Sequence, residues 1–400
     1  MANIFLGMTE DLLKSKGAIF TAREIAGQPD LWIKTFNRIR EHRSQLSQFL
    51  KKCFKKNNLE IILTGAGTSA FIGDVLEGPF QQKTGIPTRA VATTDLVTHA
   101  DQFFPSEKPK LLISFARSGN SPESVAAVDL ANTLNKDIYH LIITCNPKGA
   151  LAQKSNCDNC YVFFLPAEAD DQSLAMTGSF TSMLLTGSLL AHIDKLDEVE
   201  KMVTCLSKYG KNIRDSHLTS IQKIAKLPFK RAVFLGSGPL QGIACESHLK
   251  LQELSDGNVI CKFDSFLGFR HGPKAVINSE TLIVFLFSND AYVQQYERDL
   301  VLAINRGEKG MARIGVGENL KSDLNLDVLI SLDSTEISLP EELLSIVSVL
   351  PAQMLGFFKS LDLGLKPDTP SESGTITRVV EGVEIYPYTK NNVSSSPIEL

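Results

Sequence analysis

Three charged side chains recur at helical spacing near residue 250. Glu246, Lys250 and Glu253 are separated by four and then three residues, so a helix over this stretch places all three on one face. Two carboxylates beside an ammonium group can move a proton, but the same pattern also occurs as a solvated stripe on a surface helix. We expect the charges to line a cleft, because the same stretch carries apolar residues that must pack: Ile243, Ala244, Leu249, Leu251 and Leu254.

A histidine follows this helix in a polar break between two predicted strands. His271 lies in Phe269-Arg-His-Gly-Pro-Lys274, eighteen residues after Glu253. Imidazole both donates and accepts protons near neutral pH, which suits the opening of a hemiacetal, and the Gly-Pro pair restricts the loop that holds it. A histidine in a turn is also commonly structural, so both interpretations of His271 stay open on these grounds.

Two predicted strand-to-helix turns carry the residues of an anion site. One is Gly65-Ala-Gly-Thr-Ser69, and the other follows the third strand as Ser114-Phe-Ala-Arg-Ser-Gly-Asn-Ser121. Helix N-termini, hydroxyl groups and a glycine that lets the backbone approach all suit phosphate. A plain helix cap needs only one hydroxyl, so we expect phosphate binding by Gly67, Thr68, Ser69, Ser114, Arg117, Ser118 and Ser121.

The elements that position these residues follow a repeated order. Residues 9 to 56 show helical spacing of apolar residues, and short apolar runs then alternate with helical patterns, which predicts βαβ units. Strands are predicted near residues 61, 89, 111, 140 and 161, and the pattern restarts near 232, 258, 282, 312 and 327. The interval from first to third strand is 50 residues in both halves, which indicates a duplicated domain.

The predicted fold class is therefore α/β, with two tandem αβα three-layer domains that each contain a parallel five-stranded sheet. A helical arm is expected over residues 1–56, a first domain with linker helices over 57–210, a second domain over 211–365, and a polar tail over 366–400. The second half replaces the serine-rich loop by Ser288-Asn-Asp-Ala291. Because an acidic residue there disfavours an anion, we expect the first domain to bind phosphate and the second to supply the reactive groups.

Composition narrows the class of partner. The 400 residues are 43% hydrophobic and 22% charged, with a net charge of −4, which is ordinary for globular domains and gives no basic surface for nucleic acid or anionic membrane. A signal peptide and a long apolar run are not recognisable, so a cytoplasmic protein is expected. A cluster of Lys51, Lys52, Lys55 and Lys56 leaves a DNA-binding regulator open, although a helical lid is favoured.

The seven cysteines are scattered and odd in number, so they are expected to be reduced. Cys157 and Cys160 form a single CxxC pair without a second pair or a neighbouring histidine to complete a zinc site. We therefore assign no metal and expect no organic cofactor.

Together these motifs resemble the sugar isomerase (SIS) domain family, in the tandem arrangement of the isomerase half of glucosamine-6-phosphate synthase. The subgroup of galactosamine-6-phosphate deaminase/isomerases, also named tagatose-6-phosphate ketose/aldose isomerases, is similar in three further places. These are the opening Thr21-Ala-Arg-Glu-Ile-Ala-Gly-Gln28, the long loop that ends at Ser124, and the late Arg378-Val-Val motif. The resemblance covers residues 56 to about 380 and implies two SIS-like domains.

The resemblance implies that Glu253 moves a proton between C1 and C2 of a hexose or hexosamine 6-phosphate and that His271 opens the ring, with Glu246 and Lys250 in support. It also implies a homodimer in which the histidine loop reaches the neighbouring subunit's site. The tail lacks the lysine that holds the open-chain sugar in the synthase, which argues against a Schiff base.

The expected reaction converts galactosamine 6-phosphate to tagatose 6-phosphate and ammonia. Ketose/aldose isomerisation without deamination and a non-catalytic phosphosugar-binding regulator remain open.

Overall fold

The N-terminal arm combines a short hairpin with helices. The computed structural model describes residues 3–105, 107–154, 158–333, 337–380 and 382–389. The arm contains, in chain order, β1 (Ile4–Phe5), β2 (Met8–Thr9), α1 (Glu10–Ser15), α2 (Ile19–Glu41) and α3 (Arg43–Phe54). The helices agree with the predicted arm. The antiparallel hairpin was not predicted, because strands of two residues have no measurable periodicity.

The first sheet follows the arm. Its elements are β3 (Glu60–Thr64), α4 (Thr68–Thr84), β4 (Thr88–Ala90), α5 (Thr93–Thr98), α6 (Ala100–Phe103), β5 (Lys110–Ala116), α7 (Pro122–Leu134), β6 (Ile138–Thr144), α8 (Ala150–Gln153) and β7 (Cys160–Phe164). All pairings are parallel and the strand order is β4-β3-β5-β6-β7. Cys157, half of the CxxC pair, lies outside the described residues.

Three helices join the two sheets: α9 (Gly178–Leu190), α10 (Leu196–Ser216) and α11 (Leu218–Ala225). Every residue of α9 is buried, and it packs against both α2 and α4. The connection between the two sheets therefore begins with a helix of the central core and not with a segment on the surface.

The second sheet repeats the first. Its elements are β8 (Arg231–Leu235), α12 (Pro239–Leu254), β9 (Ile260–Asp264), β10 (Thr281–Leu286), α13 (Ala291–Arg306), β11 (Ala312–Glu318) and β12 (Val328–Leu332), followed by α14 (Glu341–Ser348) and α15 (Leu350–Asp362). The order β12-β11-β10-β8-β9 is that of the first sheet read from the other edge, and all pairings are parallel. The predicted fold of two parallel five-stranded sheets, each in its own domain, is confirmed.

The opening turns of both domains have the same backbone geometry. Gly67 precedes α4 with φ 54° and ψ −130°, and Gly238 precedes α12 with φ 53° and ψ −129°. A Cβ atom on Gly65 would lie 2.5 Å from the Ser69 carbonyl oxygen, and one on Gly236 would lie 2.1 Å from that of Leu240. Only glycine fits these positions, so the duplication extends to atomic detail.

The helices α4 and α12 join the two domains. A Cβ atom added to Gly242 would lie only 2.7 Å from the Val75 side chain of α4. The backbones of the two helices are therefore in contact at this glycine. They run in opposite directions, because Lys250 near the end of α12 donates to Thr68 at the start of α4. This crossing brings side chains of the second domain to the opening turn of the first.

The arm packs into the core. The Trp32 ring is fully buried and its Nε1 donates to Thr181 Oγ1 at 3.0 Å, and Gly210 leaves room for the ring. The favoured helical lid is therefore wrong, since α2 is a core helix. Two lysines of the cluster in and after α3 pair with the chain itself, Lys51 with Asp194 and Lys56 with Asp137.

One apolar stretch is longer than the sequence suggested. Residues Glu341–Asp362, which form α14 and α15, are long and apolar enough to cross a membrane, but they are buried inside the protein. They pack against α12 and α11, as core helices do.

Candidate active site

A cavity opens beyond the carboxyl ends of β3 and β5. These neighbouring strands stand where the strand order reverses, the usual place for a ligand in an open α/β sheet. The cavity measures about 460 Å³ and is lined by residues 66–69, 115–119, Ser121, Ser124, Leu174, Met176, Lys250, Glu253 and 374–380. No described residue of the N-terminal arm is part of the lining.

Two helix N-termini point at this cavity. Thr68 and Ser69 begin α4, while Ser118 and Ser121 precede α7. A Cβ atom on Gly67 would meet nothing within 4 Å, so the turn is open to the cavity. The Ser121 hydroxyl donates only to Ser124, at 2.6 Å, which leaves its lone pairs and the helix amides to a ligand. These positive helix ends favour an anion.

Ser114 lies apart from the other predicted phosphate ligands. It is buried inside β5 opposite Thr64 and is not part of the lining. The strand was expected to end at Ser114, but it continues through Phe115 to Ala116. The serine therefore lies in the sheet, one residue before the first residue of β5 that lines the cavity, Phe115.

Arg117 lines the cavity, but its guanidinium holds protein backbone. Nη1 donates to the carbonyls of Ser173 and Leu174 at 3.4 and 3.2 Å, and Nη2 donates to that of Arg378 at 2.5 Å. Nε is buried without a partner among the described residues. Burial lowers the pKa of Arg117, but arginine remains charged at any ordinary pH. The side chain thus adds positive charge while fixing the cavity wall.

The predicted charged face of α12 forms a buried triad. Lys250 is 1% exposed and donates to Thr68 Oγ1 at 3.0 Å and to Glu253 Oε2 at 2.5 Å. Its Nζ also lies 3.5 Å from Glu246 Oε1. The alternative interpretation, a solvated stripe of charges on a surface helix, is wrong for α12, because two of the three side chains are inaccessible to water.

The charge state of the triad follows from burial. Loss of water acts to lower the pKa of Lys250, but the two carboxylates outweigh it and the pKa lies above its usual value. Burial raises the pKa of Glu246 to about 8, against the opposing effect of Lys250. Glu246 therefore keeps its proton at neutral pH, and Lys250 keeps its positive charge beside Glu253.

Glu253 is the member of the triad that reaches the cavity. Its side chain is 22% exposed and lines the cavity together with Lys250, whereas Glu246 is fully buried behind them. The carboxylate is held by Lys250 Nζ and faces the same space as the two helix N-termini. One cavity therefore combines anion-binding groups from the first domain with a carboxylate from the second.

His271 lies away from this cavity. It is exposed, between two 3-10 turns at Gly268–Arg270 and Pro273–Val276, and is not part of the lining. Gly272 beside it has φ +114°, which L residues rarely adopt. The chain thus presents this histidine outward, next to the edge strand β9.

Sequence reasoning missed the outer wall of the cavity. Residues 374–380 cover it, and Arg378 anchors them by donating to the Asp171 carbonyl at 2.9 Å and to Asp170 Oδ1 at 2.9 Å. Leu174 and Met176 form the adjoining apolar part. The signals for this wall in the sequence are the Arg378-Val-Val motif and the resemblance of the tail to the segment that holds the open-chain sugar in the synthase.

The segment behind this wall is fixed by the N-terminal arm. Glu24 of α2 accepts from the amides of Gln172 and Ser173 at 2.5 and 3.2 Å, and the Asp368 carbonyl accepts from Leu174 N at 3.0 Å. Burial, assisted by the nearby charge of Asp171, raises the pKa of Glu24 to about 7. The arm therefore supports the cavity from behind.

Comparison with known proteins identifies relatives of this architecture. A model of the SIS domain matches residues 54–193. The D-galactosamine-6-phosphate deaminase AgaS of Shewanella sp. (strain ANA-3) is 39% identical over 387 residues, which covers 96% of this chain and 96% of that protein. The D-galactosamine-6-phosphate deaminase AgaS of Escherichia coli is 41% identical over 381 residues, covering 92% and 96%.

Solved structures show the same agreement. A structure from Clostridium novyi NT superposes with a TM-score of 0.94 at 40% identity, covering 97% of this chain and all of that one. The tagatose-6-phosphate ketose/aldose isomerase of Escherichia coli gives a TM-score of 0.83 at 39% identity, covering 93% and 97%. With identity at this level over nearly the full length of both sequences, the chain belongs to the SIS-domain family of the D-galactosamine-6-phosphate deaminases AgaS.

Proposed function

We propose that the protein converts galactosamine 6-phosphate to tagatose 6-phosphate and ammonia. The observation that carries this proposal is a single cavity that joins two helix N-termini with the Glu253 carboxylate. The two curated relatives at about 40% identity bear the name of this activity.

The phosphate group would bind at the starts of α4 and α7. Thr68, Ser69, Ser118 and Ser121 supply hydroxyls there, and Gly67 and Gly119 let the backbone approach, each with positive φ. Arg117 contributes charge beside them. Binding a phosphate remote from the reacting carbons fixes the sugar relative to the base without further cost at the moment of reaction.

Glu253 would act as the base. In the open-chain amino sugar it takes the C2 proton while the C2 ammonium group gives a proton to O1, which yields a 1,2-enolamine, and Glu253 then returns its proton at C1. The resulting C2 imine adds water and expels ammonia, leaving the ketose. One water is consumed and one ammonia is released, and no electrons are transferred. A positioned carboxylate of this kind contributes roughly 10² to 10⁴-fold in rate.

Lys250 is proposed to hold this carboxylate rather than to attack the sugar. A raised pKa keeps its amine protonated, and a protonated amine is not a nucleophile. Residues 374–380 of the tail contain no lysine. Both features favour reaction without a Schiff base, as the sequence suggested.

His271 would open the sugar ring in the cavity of a partner subunit. It is exposed and outside the cavity of its own chain, and two neighbouring apolar side chains are also exposed, Ile260 at 65% and Leu267 at 49%. Such a surface suits a homodimer with shared sites. Mixing Glu253→Gln chains with His271→Ala chains should restore activity that neither variant has alone, whereas inactive mixtures would place the ring opener elsewhere.

A product assay tests the reaction itself. The protein is incubated separately with galactosamine 6-phosphate, glucosamine 6-phosphate and tagatose 6-phosphate, and ammonia and ketose are measured independently. We expect equal amounts of ammonia and ketose from galactosamine 6-phosphate. Conversion of tagatose 6-phosphate to an aldose, with no ammonia released from either amino sugar phosphate, would reject deamination.

Isomerisation without deamination is the second candidate. The observation in its favour is the likeness at 39% identity to a protein named tagatose-6-phosphate ketose/aldose isomerase. The same base and phosphate site would serve, because both reactions begin with transfer of a proton between C2 and C1.

A further inference from the structure

The second domain contains a copy of the opening turn that is proposed to bind phosphate in the first domain. Gly236 and Gly238 repeat the geometry of Gly65 and Gly67, and α12 begins at this turn as α4 begins at the first. The turn lies between β8 and β10, the same switch point in strand order as in the first sheet. Its backbone is therefore suited to an anion.

The two turns differ in what faces them. A Cβ atom on Gly67 would meet nothing within 4 Å, whereas one on Gly238 would lie 3.7 Å from Glu341 Oε2. Glu341 is the first residue of α14, and the Ser288 hydroxyl beside it acts to lower the pKa of its carboxyl, against the larger effect of burial. A carboxylate of the chain thus stands where the first domain has open cavity.

A second carboxylate, that of Glu297, also occupies the space at this turn. Glu297 of α13 is fully buried, and its Oε2 accepts from Ser288 N at 3.0 Å. Burial raises the pKa of Glu297, and the Ser237 hydroxyl beside it acts in the opposite direction. Its Oε1 has no partner among the described residues. Ser237 and Ser288 belong to the two turns that correspond to the phosphate-binding turns of the first domain. Both turns therefore face carboxylates of the protein, Ser288 N donating to Glu297 and Gly238 lying beside Glu341.

A side chain of the protein, Asp290, also caps the N-terminus of α13. Asp290 Oδ1 accepts from Tyr292 N and Val293 N at 2.7 and 3.3 Å, whereas Ser121 makes no such cap on α7. Burial raises the pKa of Glu297 to about 8 and also raises that of Glu341, so Glu297 keeps its proton at neutral pH and the two carboxyls together carry less than two negative charges. A partly neutralised carboxylate pair is the charge that one helix N-terminus accommodates.

We propose that the second domain retains a phosphate-binding site whose ligand is the protein itself, with Glu341 and Glu297 in place of a phosphate monoester. A carboxylate tethered in the chain binds intramolecularly and excludes free phosphate. The filled site leaves one phosphosugar per chain and ties α14 to the start of α12, the helix that carries Lys250 and Glu253. The proposal concerns a site separate from the one in the first domain.

Counting bound phosphate tests this proposal. Inorganic phosphate bound per chain is measured by equilibrium dialysis for wild type, Glu341→Ala and Glu341→Gln. Alanine removes the carboxylate that faces Gly238, one of the two filling groups, and glutamine keeps its shape. We expect Glu341→Ala to bind about one phosphate more per chain than the other two proteins, and phosphate to raise its Tm more than theirs. Equal phosphate binding by all three proteins would overturn the proposal.

Two further variants keep the test decisive. Repeating the count in a Ser118→Ala, Ser121→Ala background removes the site proposed for substrate. One phosphate gained by Glu341→Ala there supports the second site even if the first assignment fails. If Glu341→Ala does not fold, Glu341→Ser, which is smaller than glutamate and still polar, replaces it, and the absence of a phosphate gain there counts against the proposal.

Discussion

Replacing Glu246 by glutamine tests the charge state of the buried triad. Burial raises the pKa of this carboxyl from 4.5 to about 8, so the folded protein keeps a proton that the unfolded chain has lost between these pH values. Unfolding in this window releases one proton. The free energy of unfolding must therefore fall as pH rises, by about 1.4 kcal/mol per pH unit.

Glutamine has nearly the shape of protonated glutamate but has no group that titrates. The dependence on pH that arises from Glu246 should be absent from the variant. Its stability relative to wild type is then expected to rise by about 2 kcal/mol between pH 6 and pH 7.5, with glutamine the more stable at the higher pH. Taking the difference between the two proteins cancels the titration of other groups.

Urea unfolding at half-unit steps from pH 5 to pH 8 measures this difference. Glu308→Gln is the matched control, because Glu308 is exposed and its surroundings change little on unfolding. The control should differ from wild type by a constant. A constant difference for Glu246→Gln as well would refute the reasoning, since it would mean that Glu246 is ionised in the folded protein at neutral pH.

Two further substitutions probe the walls of the cavity. Gly67→Ala puts a side chain at φ 54° and ψ −130° and should lower the free energy of unfolding by about 1–3 kcal/mol. The control Gly27→Ala, in open space within α2, should raise it by about 0.5–1 kcal/mol. An equal effect of both substitutions would contradict the turn geometry. Arg378→Ala should raise KM and make residues 374–380 sensitive to protease, while Arg298→Ala, which removes only an exposed pair with Asp323, should do neither.

Local spacing was enough to predict the triad. Offsets of four and three residues fix the relative direction of side chains on any helix, so Glu246, Lys250 and Glu253 had to share a face. Their partner in the first domain could not be predicted. Lys250 reaches Thr68 only because Gly242 lets α12 touch α4, and that contact is between helices far apart in sequence.

The repeat in strand spacing predicted the duplicated fold, since each sheet is specified by apolar runs of regular length. Strand ends were less certain. A strand buried on both faces has a continuous run of apolar residues. The polar Ser114 interrupts that run and predicts the end of β5, but Phe115 and Ala116 continue the pairing with β6.

The outer wall escaped prediction for a different reason. Residues 170–176 and 374–380 have no regular structure apart from isolated turns, so they carry no periodic pattern of apolar residues. Their positions depend on single contacts, such as Arg117 to the Arg378 carbonyl and Glu24 to Gln172 N. A sequence alone does not reveal which distant donor a given carbonyl or carboxylate will meet.

The direct test of the account is turnover and binding by Glu253→Gln. Ammonia release from galactosamine 6-phosphate and binding of the same compound are measured for this variant and for Glu308→Gln. We predict that Glu253→Gln loses turnover by about 10²-fold or more and still binds the phosphosugar, while the control matches wild type. Release of ammonia by Glu253→Gln at the wild-type rate would contradict the role of this carboxylate as the base.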